Sequence, residues 1–257
     1  MKYRIREYIY NDELSMEENH ILDMTYKLKL SHMAEALEKH FLDPNSDLED
    51  FTTRFTNAID YEWEQRQNTK FNRLARKATL KYPSADLDAA LYEPDRMLDT
   101  HVIEFLAKCE WIDESRKLLI TGSAGAGKTH IANSLSVIAL HQLRTVKYIR
   151  ANYLLQECEK ASADGRYYEY MNAMADYDLL VIDDFGLMDL DMDKCRDLFE
   201  IIESRDCRKS SMIVSQLPVV KWCDLFVYNT YADACLSRMM AKAYRLECNG
   251  RDMRKPV

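Results

Sequence analysis

The chain is poor in glycine and has no long apolar run. Six of its 257 residues are glycine, and three of these lie between residues 122 and 127. Low glycine content elsewhere is typical of a helix-rich protein. No apolar stretch approaches the ~20 residues that span a bilayer, and the N-terminus lacks an apolar segment of signal-peptide type. We therefore expect a cytoplasmic protein that does not engage a membrane.

The cysteines lack the spacing of a disulfide framework or a metal site. There are seven, an odd number, they are scattered along the chain, and none forms a CxxC pair. This pattern predicts neither a disulfide framework nor a zinc site, and it is typical of a reducing compartment. Hydrophobic residues make up 47% of the chain, enough for one sizeable core and a smaller second unit.

The net charge of −8 is unevenly distributed. Residues 1–65 contain 7 Lys/Arg and 15 Asp/Glu, a net of −8, and the remaining residues contain 28 of each and sum to zero. This balance argues against indiscriminate coating of nucleic acid. It leaves room for a local basic face.

Residues 15–82 are predicted to be helical. Ser15, followed three residues later by Glu18, forms a capping-box pattern at the start of the first helix. Ser31 is predicted to cap a second helix that stops before Pro44. Ser46 is predicted to cap a third, long helix or helix pair that continues to residue 82. We assign residues 1–83 to a helical N-terminal domain for DNA or partner interaction.

Residues 84–257 are predicted to form a second domain. Short helices are expected over residues 84–116, and strands then alternate with helices. That alternation indicates an α/β fold in which helices cover both faces of a five-stranded parallel sheet. The predicted strands are Lys117–Thr121, Thr145–Ile149, Asp178–Asp183, Ser211–Ser215 and Tyr244–Cys248.

A glycine-rich loop follows the first predicted strand. Its sequence, GSAGAGKT, matches the Walker A pattern of P-loop NTPases. The backbone N–H groups of such a loop, with the following helix N-terminus, cradle the phosphates of a nucleoside triphosphate. Lys128 would neutralise phosphate charge, and Thr129 would bind Mg²⁺. A glycine-rich turn with a chance lysine is the lesser alternative. The predicted ATP-binding residues are Gly122, Ser123, Ala124, Gly125, Ala126, Gly127, Lys128, Thr129 and His130.

Two further strand ends carry polar residues suited to this chemistry. In DYDLLVIDDFG, Asp183 stands at the carboxyl end of an apolar strand and would hold Mg²⁺, as in a Walker B motif. Asp184 would orient or deprotonate the attacking water. In SSMIVSQLP, Gln216 could reach between the acid and the γ-phosphate. The alternatives are loop-capping aspartates and a strand-to-loop cap before Pro218.

The motifs resemble those of the IstB family of AAA+ ATPases, the helper proteins of a group of bacterial insertion sequences. The matching stretches are LKLSHMAEALEKH, GSAGAGKTHIA, ADYDLLVIDDFG, IVSQLPVVKW, ADACLSRMMAKAYRLE and NGRDMRK, in the family's order. The AAA+ core of this family is similar to DnaC-type helicase loaders and to the DnaA initiator. The resemblance covers about residues 28–255. It implies a bacterial protein without a C-terminal lid domain.

The resemblance also implies roles for single residues. LSRMM is similar to the segment that carries an arginine finger, which places on Arg238 the contact to ATP of a neighbouring subunit. Without the family, a helix-surface arginine in an ion pair would be the favoured reading. NGRDMRK matches a G-x-S-x-R pattern in which Asp252 replaces serine and Arg254 takes the arginine position. Asp184 stands where many AAA+ ATPases have glutamate, which implies slow turnover.

A basic stripe follows in the long helix. Arg66, Lys70, Arg73, Lys77 and Lys81 have helical spacing and would line one face suited to a phosphate backbone. A solvated face, or one paired with acidic neighbours such as Glu62, is the alternative.

The second candidate nucleic-acid contact lies in residues 152–175, predicted as two helices with a turn near Gly165. In similar initiator-type AAA+ proteins an extra helix at this position faces the DNA channel. We select Lys160, Arg166, Tyr167 and Tyr168, although the tyrosines could equally be packing residues. No motif for base-specific readout is present, so backbone and shape contacts are expected.

The sequence predicts an ATP-dependent, DNA-binding transposition helper. It would assemble on duplex DNA as a homo-oligomer, hydrolyse ATP and recruit or stimulate the transposase of the same element. A helicase loader acting in DNA replication is the alternative with the same ATPase core. A metabolic P-loop kinase is a third possibility, but it leaves the Arg238 and Gln216 segments unexplained.

Overall fold

The computed structural model describes residues 8–45, 48–87, 98–248, 250 and 252–253. The chain divides into two compact units, Met1–Asn72 and Arg73–Val257. The division falls inside a long helix, and the predicted domain boundary at residue 83 stays a prediction.

The first unit contains helices α1 (Met16–Lys27), α2 (Ser31–Leu42) and most of α3 (Phe51–Ala78). Its small core is formed by Leu14, Leu22 and Ala34. The predicted capping box is confirmed, because the Ser15 hydroxyl accepts the Glu18 N–H and the Glu18 carboxylate accepts the Ser15 N–H.

Of the two other predicted helix caps, one is wrong and one lies outside the described residues. Ser31 is the first residue of α2 rather than its cap, so that prediction is wrong. The carboxylate of Glu62, on α3, instead accepts the N–H groups of His32 and Met33, both at 2.9 Å. A distant carboxylate thus satisfies N–H groups that a local cap would otherwise serve. The other predicted cap, Ser46, lies outside the described residues.

Helix α3 is one continuous helix of 28 residues. At its start the Asp50 carboxylate accepts hydrogen bonds from the N–H and the hydroxyl of Thr53, at 3.0 and 2.7 Å. The helix ends at Ala78, four residues before the predicted end, because Thr79 has a left-handed backbone (φ +54°).

The second unit is a parallel α/β layer structure. Its five strands are β1 (Lys117–Gly122), β2 (Val146–Arg150), β3 (Leu179–Phe185), β4 (Ser210–Ser215) and β5 (Ala243–Cys248). Its helices are α4 (Thr100–Ala107), α5 (Glu110–Asp113), α6 (Lys128–His141), α7 (Ala151–Ala163), α8 (Tyr167–Asp176), α9 (Met192–Arg205) and α10 (Asn229–Met240). The predicted five-stranded parallel sheet is confirmed, and each strand begins and ends within two residues of its prediction.

The strand order β2-β3-β4-β1-β5 positions the candidate site. Strand β4 lies between β1 and β3, so the residue after β4 falls between the loops that follow the other two strands. The central strands are buried along nearly their whole length, as expected for a sheet covered on both faces. No helix among the described residues is both long and apolar enough to cross a membrane.

Candidate functional site

The glycine-rich loop lies between β1 and α6, and tight packing requires glycine at its start. A Cβ on Gly122 would lie 2.1 Å from the carbonyl oxygen of Cys248 on β5. The chain then turns through Gly127, also in the left-handed region, directly into Lys128, the first residue of α6. The Lys128 side chain is buried, and its Nζ donates to the carbonyl of Ser123 at 2.6 Å, closing over the loop.

The Asp183 carboxylate is buried and accepts three hydrogen bonds. The donors are the Thr129 hydroxyl at 2.9 Å, the Tyr148 hydroxyl at 2.6 Å and the N–H of Asp184 at 2.7 Å. Burial and then the hydrogen bond to Asp183 raise the pKa of Tyr148, so its phenol stays protonated and donates. Donors from three elements therefore fix one carboxylate.

A bulge in β3 sets the direction of Asp184. Ile182 pairs with Ile213 and Phe185 with Ser215, so two residues of β3 stand opposite one of β4. Asp184 has a left-handed backbone (φ +56°), a conformation that costs energy for a residue with a Cβ and that clusters at functional sites. Its carboxylate forms an ion pair at 3.4 Å with Arg150 at the end of β2.

One cavity of about 320 Å³ lies at the carboxyl ends of the strands, and it is lined by the glycine-rich loop, the start of α6 and the two aspartates. Gln216, exposed beyond β4, also lines it, as the strand order requires. The predicted residues that line the cavity are Gly125, Gly127, Lys128, Thr129, His130, Asp183, Asp184 and Gln216. Gly122, Ser123, Ala124 and Ala126 belong to the same loop but do not line the cavity.

An aromatic wall of the cavity escaped sequence reasoning. Tyr82 lines it beside His130, with ring centroids 6.3 Å apart, and its ring is 43% exposed. The N–H of Tyr82 donates to Oδ1 of Asn133 at 3.1 Å, and Asn133 in turn donates to the Thr129 carbonyl at 2.7 Å. Tyr82 is therefore held against the first turns of α6, which no local motif signals.

Tyr148 and Arg150 were also missed. They lie two positions apart on β2, so their side chains lie on the same face of the sheet. Each contacts one of the two Walker B aspartates. Alternation could have suggested that they share a face, but only the order of the strands shows that β2 lies beside β3.

The C-terminal segment reaches the glycine-rich loop. The N–H of Met253 donates to the Gly125 carbonyl at 2.9 Å. A Cβ on Gly125 would lie only 1.7 Å from Oδ1 of Asp252, so glycine is needed for this approach. Asp252 therefore brings a carboxylate to the loop. Arg254 lies outside the described residues.

Arg238 lies on α10 and does not line the cavity. Its guanidinium forms an ion pair with Glu203 on α9, donates to the Ala234 carbonyl at 2.9 Å and lies 5.0 Å from the ring centroid of Phe199. Within one chain Arg238 is thus an ion-paired surface arginine.

The basic stripe is exposed along α3 except for Lys81, whose predicted place on this helix is wrong because α3 ends at Ala78. Lys70, Arg73 and Lys77 are solvent-exposed. Arg66 is also exposed, but it pairs with Glu62 and donates to the Lys29 carbonyl at 2.5 Å. Part of the stripe thus follows the alternative of pairing with acidic neighbours.

The candidates in residues 152–175 divide into packed and exposed groups. The two predicted helices are confirmed as α7 and α8, joined through Gly165. Tyr167 donates to Asp197 at 2.8 Å and is a packing residue, whereas the Tyr168 side chain is 82% exposed. Lys160 is exposed, and Arg166 forms an exposed ion pair with Asp164 at 3.1 Å.

Comparison with known proteins identifies the family. The family model for IstB-like ATP-binding proteins matches residues 24–256. A Pseudomonas fluorescens protein, named as the ATP-binding protein of insertion sequence IS1162, is 35% identical over 203 residues, covering 79% of this chain and 88% of that protein. A Sinorhizobium fredii protein, y4pL, also named as an insertion-sequence ATP-binding protein, is 32% identical over 234 residues, covering 91% and 95%.

Among solved structures, the DnaC helicase loader matches with a TM-score of 0.56 and 17% identity, covering 66% of this chain and 99% of that one. At that identity the likeness shows a shared AAA+ fold alone. The extent of the family match and the curated relatives together show that this chain is a member of the IstB-like ATP-binding protein family.

Proposed function

We propose that this protein is an ATP-hydrolysing helper of transposition that assembles on DNA and acts with the transposase of its insertion sequence. The observation that carries the proposal is the convergence of Lys128, Thr129, Asp183, Asp184 and Gln216 on one cavity. The names of the relatives, which are insertion-sequence ATP-binding proteins, supply the transposition context.

The residues present fit a triphosphate with Mg²⁺. The Thr129 hydroxyl and the Asp183 carboxylate lie 2.9 Å apart, and oxygen ligands of this kind are those that Mg²⁺ prefers. The metal would neutralise charge that develops on the phosphates. Lys128, now bonded to the Ser123 carbonyl, would exchange that acceptor for phosphate oxygens. The N–H groups of the loop and the start of α6 would hold the remaining phosphate charge.

Hydrolysis would proceed by attack of water on the γ-phosphorus. Asp184 orients this water and accepts its proton, and Gln216 contacts the γ-phosphate from the end of β4. The bond from the γ-phosphorus to the bridging oxygen breaks, which yields ADP and inorganic phosphate. Asp184 pairs with Arg150 at 3.4 Å, and loosening of this ion pair would free its carboxylate to accept the proton.

Assembly would complete the site. Arg238 does not line the cavity of its own chain, so we propose that it reaches the nucleotide of a neighbouring subunit after leaving Glu203. ATP would then join subunits on DNA, hydrolysis would separate them, and the assembled form would recruit or stimulate the transposase.

The central test is the nucleotide dependence of assembly. Lys128→Ala should abolish ATP-dependent assembly on duplex DNA, measured by sedimentation. The reason is that the variant lacks the ammonium that would neutralise the phosphate charge of ATP. Lys108→Ala, a change at an exposed lysine that does not line the cavity, is the control. Assembly of the Lys128→Ala protein at wild-type level would contradict the proposal.

A second test concerns Arg238. Arg238→Ala should retain ATP binding and lose phosphate release, because binding uses the chain's own loop and hydrolysis uses the neighbour's arginine. Equal phosphate release by the variant and the wild type would refute the shared site. Offering a transposase and a replicative helicase side by side in a pull-down distinguishes a transposition helper from a helicase loader.

A further inference from the structure

A second cavity, of about 600 Å³, opens at the outer edge of the sheet. Among the described strands, β2 lies at the edge of the sheet and pairs only with β3. Residues 147–150 line the cavity together with the chain after α3 and helices α7 and α8. We refer to this cavity as the β2 cleft. The residues of the Walker A loop do not line it, and Lys81 lines both the β2 cleft and the candidate nucleotide cavity.

The β2 cleft has a surplus of positive charge. Lys81, Lys147 and Arg150 line it, against one acidic residue, Glu157. Lys147 is half-buried, and its Nζ donates to the Thr79 hydroxyl at 3.1 Å, which directs the ammonium into the cleft. Burial lowers the pKa of Lys147, because the ammonium loses contact with water. An anionic ligand in the cleft would replace those lost contacts and stabilise the charged form.

Aromatic rings line the same cleft. Tyr153 is 53% exposed, and the Arg150 guanidinium lies over its ring, 5.9 Å from the centroid. The hydroxyl of Tyr170 is buried, and it has no hydrogen-bond partner among the described residues. A buried donor without a partner is uncommon in folded proteins and can be satisfied by a ligand.

The positive charge continues along the surface beyond the cleft. A neighbouring groove of about 380 Å³ is lined by Arg73 and Lys77, and it shares Tyr177 with the cleft. A smaller pocket shares Tyr170, but there Lys160 and Arg166 are balanced by Glu157 and Glu169. Arg73 and Lys77 of α3 therefore lie beside the β2 cleft, which no sequence feature indicated.

We propose that the β2 cleft binds the sugar–phosphate backbone of DNA together with one unstacked base. Lys81 and Lys147 would contact phosphates, Tyr153 would stack on the base, and the Tyr170 hydroxyl would donate to the ligand. A groove that combines cations with exposed aromatic rings is suited to single-stranded nucleic acid, since every base presents a π-face. An acidic peptide would use the cations but has no base to stack. The proposal rests on the DNA binding proposed above and names its site.

The test measures the binding of a labelled oligonucleotide of about twelve nucleotides by fluorescence anisotropy, between about 50 and 200 mM salt. Lys147→Ala should weaken binding and reduce the slope of log K against log salt by about 0.7, the value for one phosphate contact on a single strand. Lys108→Ala should leave both quantities unchanged. A Lys147→Ala slope equal to that of the wild type would overturn the proposal.

Tyr153 provides a test of stacking. Tyr153→Ala should weaken binding about tenfold, with an unchanged salt slope, whereas Tyr153→Phe should retain wild-type affinity. An oligonucleotide of the same length made of abasic sites should bind wild type and Tyr153→Ala equally. If the two proteins differ on the abasic strand by the same factor, stacking on Tyr153 is refuted.

Tyr170 separates binding from folding. Tyr170→Phe removes a hydroxyl that lacks a partner, so the melting temperature should be equal to or above that of the wild type while DNA affinity falls. A fall in melting temperature with unchanged DNA affinity would make the hydroxyl structural and count against the cleft. Displacement of the oligonucleotide by polyglutamate at equal charge concentration would indicate an acidic-protein site instead. Assembly of the wild type on duplex DNA without binding of the oligonucleotide would overturn the β2 cleft proposal alone, and absence of binding to both would refute the proposed function itself.

Discussion

The hydrogen bond from Tyr148 to Asp183 permits a quantitative prediction. Tyr148→Phe removes the hydroxyl and keeps the ring, so no cavity forms around a side chain that is only 6% exposed. The acceptor is a carboxylate that is 1% exposed, and the bond is 2.6 Å long. A hydrogen bond to a charged group contributes about 1.5–3 kcal/mol to stability. Two donors, the Thr129 hydroxyl and the Asp184 N–H, remain, so we expect a loss of about 2 kcal/mol.

The loss should depend on the nucleotide. In the absence of ligand, the free energy of unfolding from urea denaturation should fall by about 2 kcal/mol, equivalent to a melting temperature lower by about 4–8 °C. With saturating Mg²⁺ and ATP the difference between the two proteins should shrink, because a cation at Asp183 would replace the charge compensation that Tyr148 provides.

A matched variant controls for the loss of a phenol. Tyr244→Phe removes the hydroxyl of a half-buried tyrosine whose ring contacts Phe105, and no described residue hydrogen-bonds to it. Its effect should stay within about 0.5 kcal/mol. The reasoning would be refuted if Tyr148→Phe behaves like Tyr244→Phe, or if its destabilisation is the same with and without Mg²⁺ and ATP.

Three further variants probe the nucleotide cavity. Tyr82→Ala should weaken ATP binding about tenfold in calorimetry and leave tripolyphosphate binding unchanged, because the exposed ring beside the loop can stack only on a base. Equal losses of affinity for both ligands would exclude stacking. Arg150→Ala should raise the rate of phosphate release several-fold, because it frees the Asp184 carboxylate. The free energy of unfolding should change by less than about 1 kcal/mol, since the ion pair is partly exposed. An unchanged rate of phosphate release would contradict this role of Arg150. Asp252→Ser should tighten ATP binding at low salt, because it removes a carboxylate from beside Gly125, and the gain should vanish at high salt; a gain independent of salt would point to packing instead.

The sequence predicted some residues of the candidate site and missed others. The sequence predicted that the glycine-rich loop and the two aspartates lie together, because each lies within a few residues of a strand end, and local pattern shows both strand and loop. The structure brings them to one cavity, and their roles toward a nucleotide stay predictions. Gln216 was placed correctly beside them because it also follows an apolar strand. Tyr82, Tyr148 and Arg150 were missed because they contact the site across sequence separations of about 35 residues or more, beyond any local pattern.

Long-range contacts also explain the one prediction of a helix cap that was wrong. Ser31 satisfied the local rule for a cap, but Glu62 lies thirty residues away in sequence and accepts the N–H groups of His32 and Met33. A carboxylate offers stronger hydrogen bonds than a hydroxyl, so the tertiary contact prevailed over the local preference.

By itself the sequence determined the helices and strands of this protein and the glycine-rich loop after β1, because helices, strands and glycine turns depend on neighbours close in the chain. The tertiary structure decided which strands lie side by side, and thereby which side chains meet. That order brings Tyr148 and Arg150 to the two aspartates, holds Asp252 against Gly125 and collects the cations and tyrosines of the β2 cleft. These contacts depend on sheet order and register, which distant segments fix together.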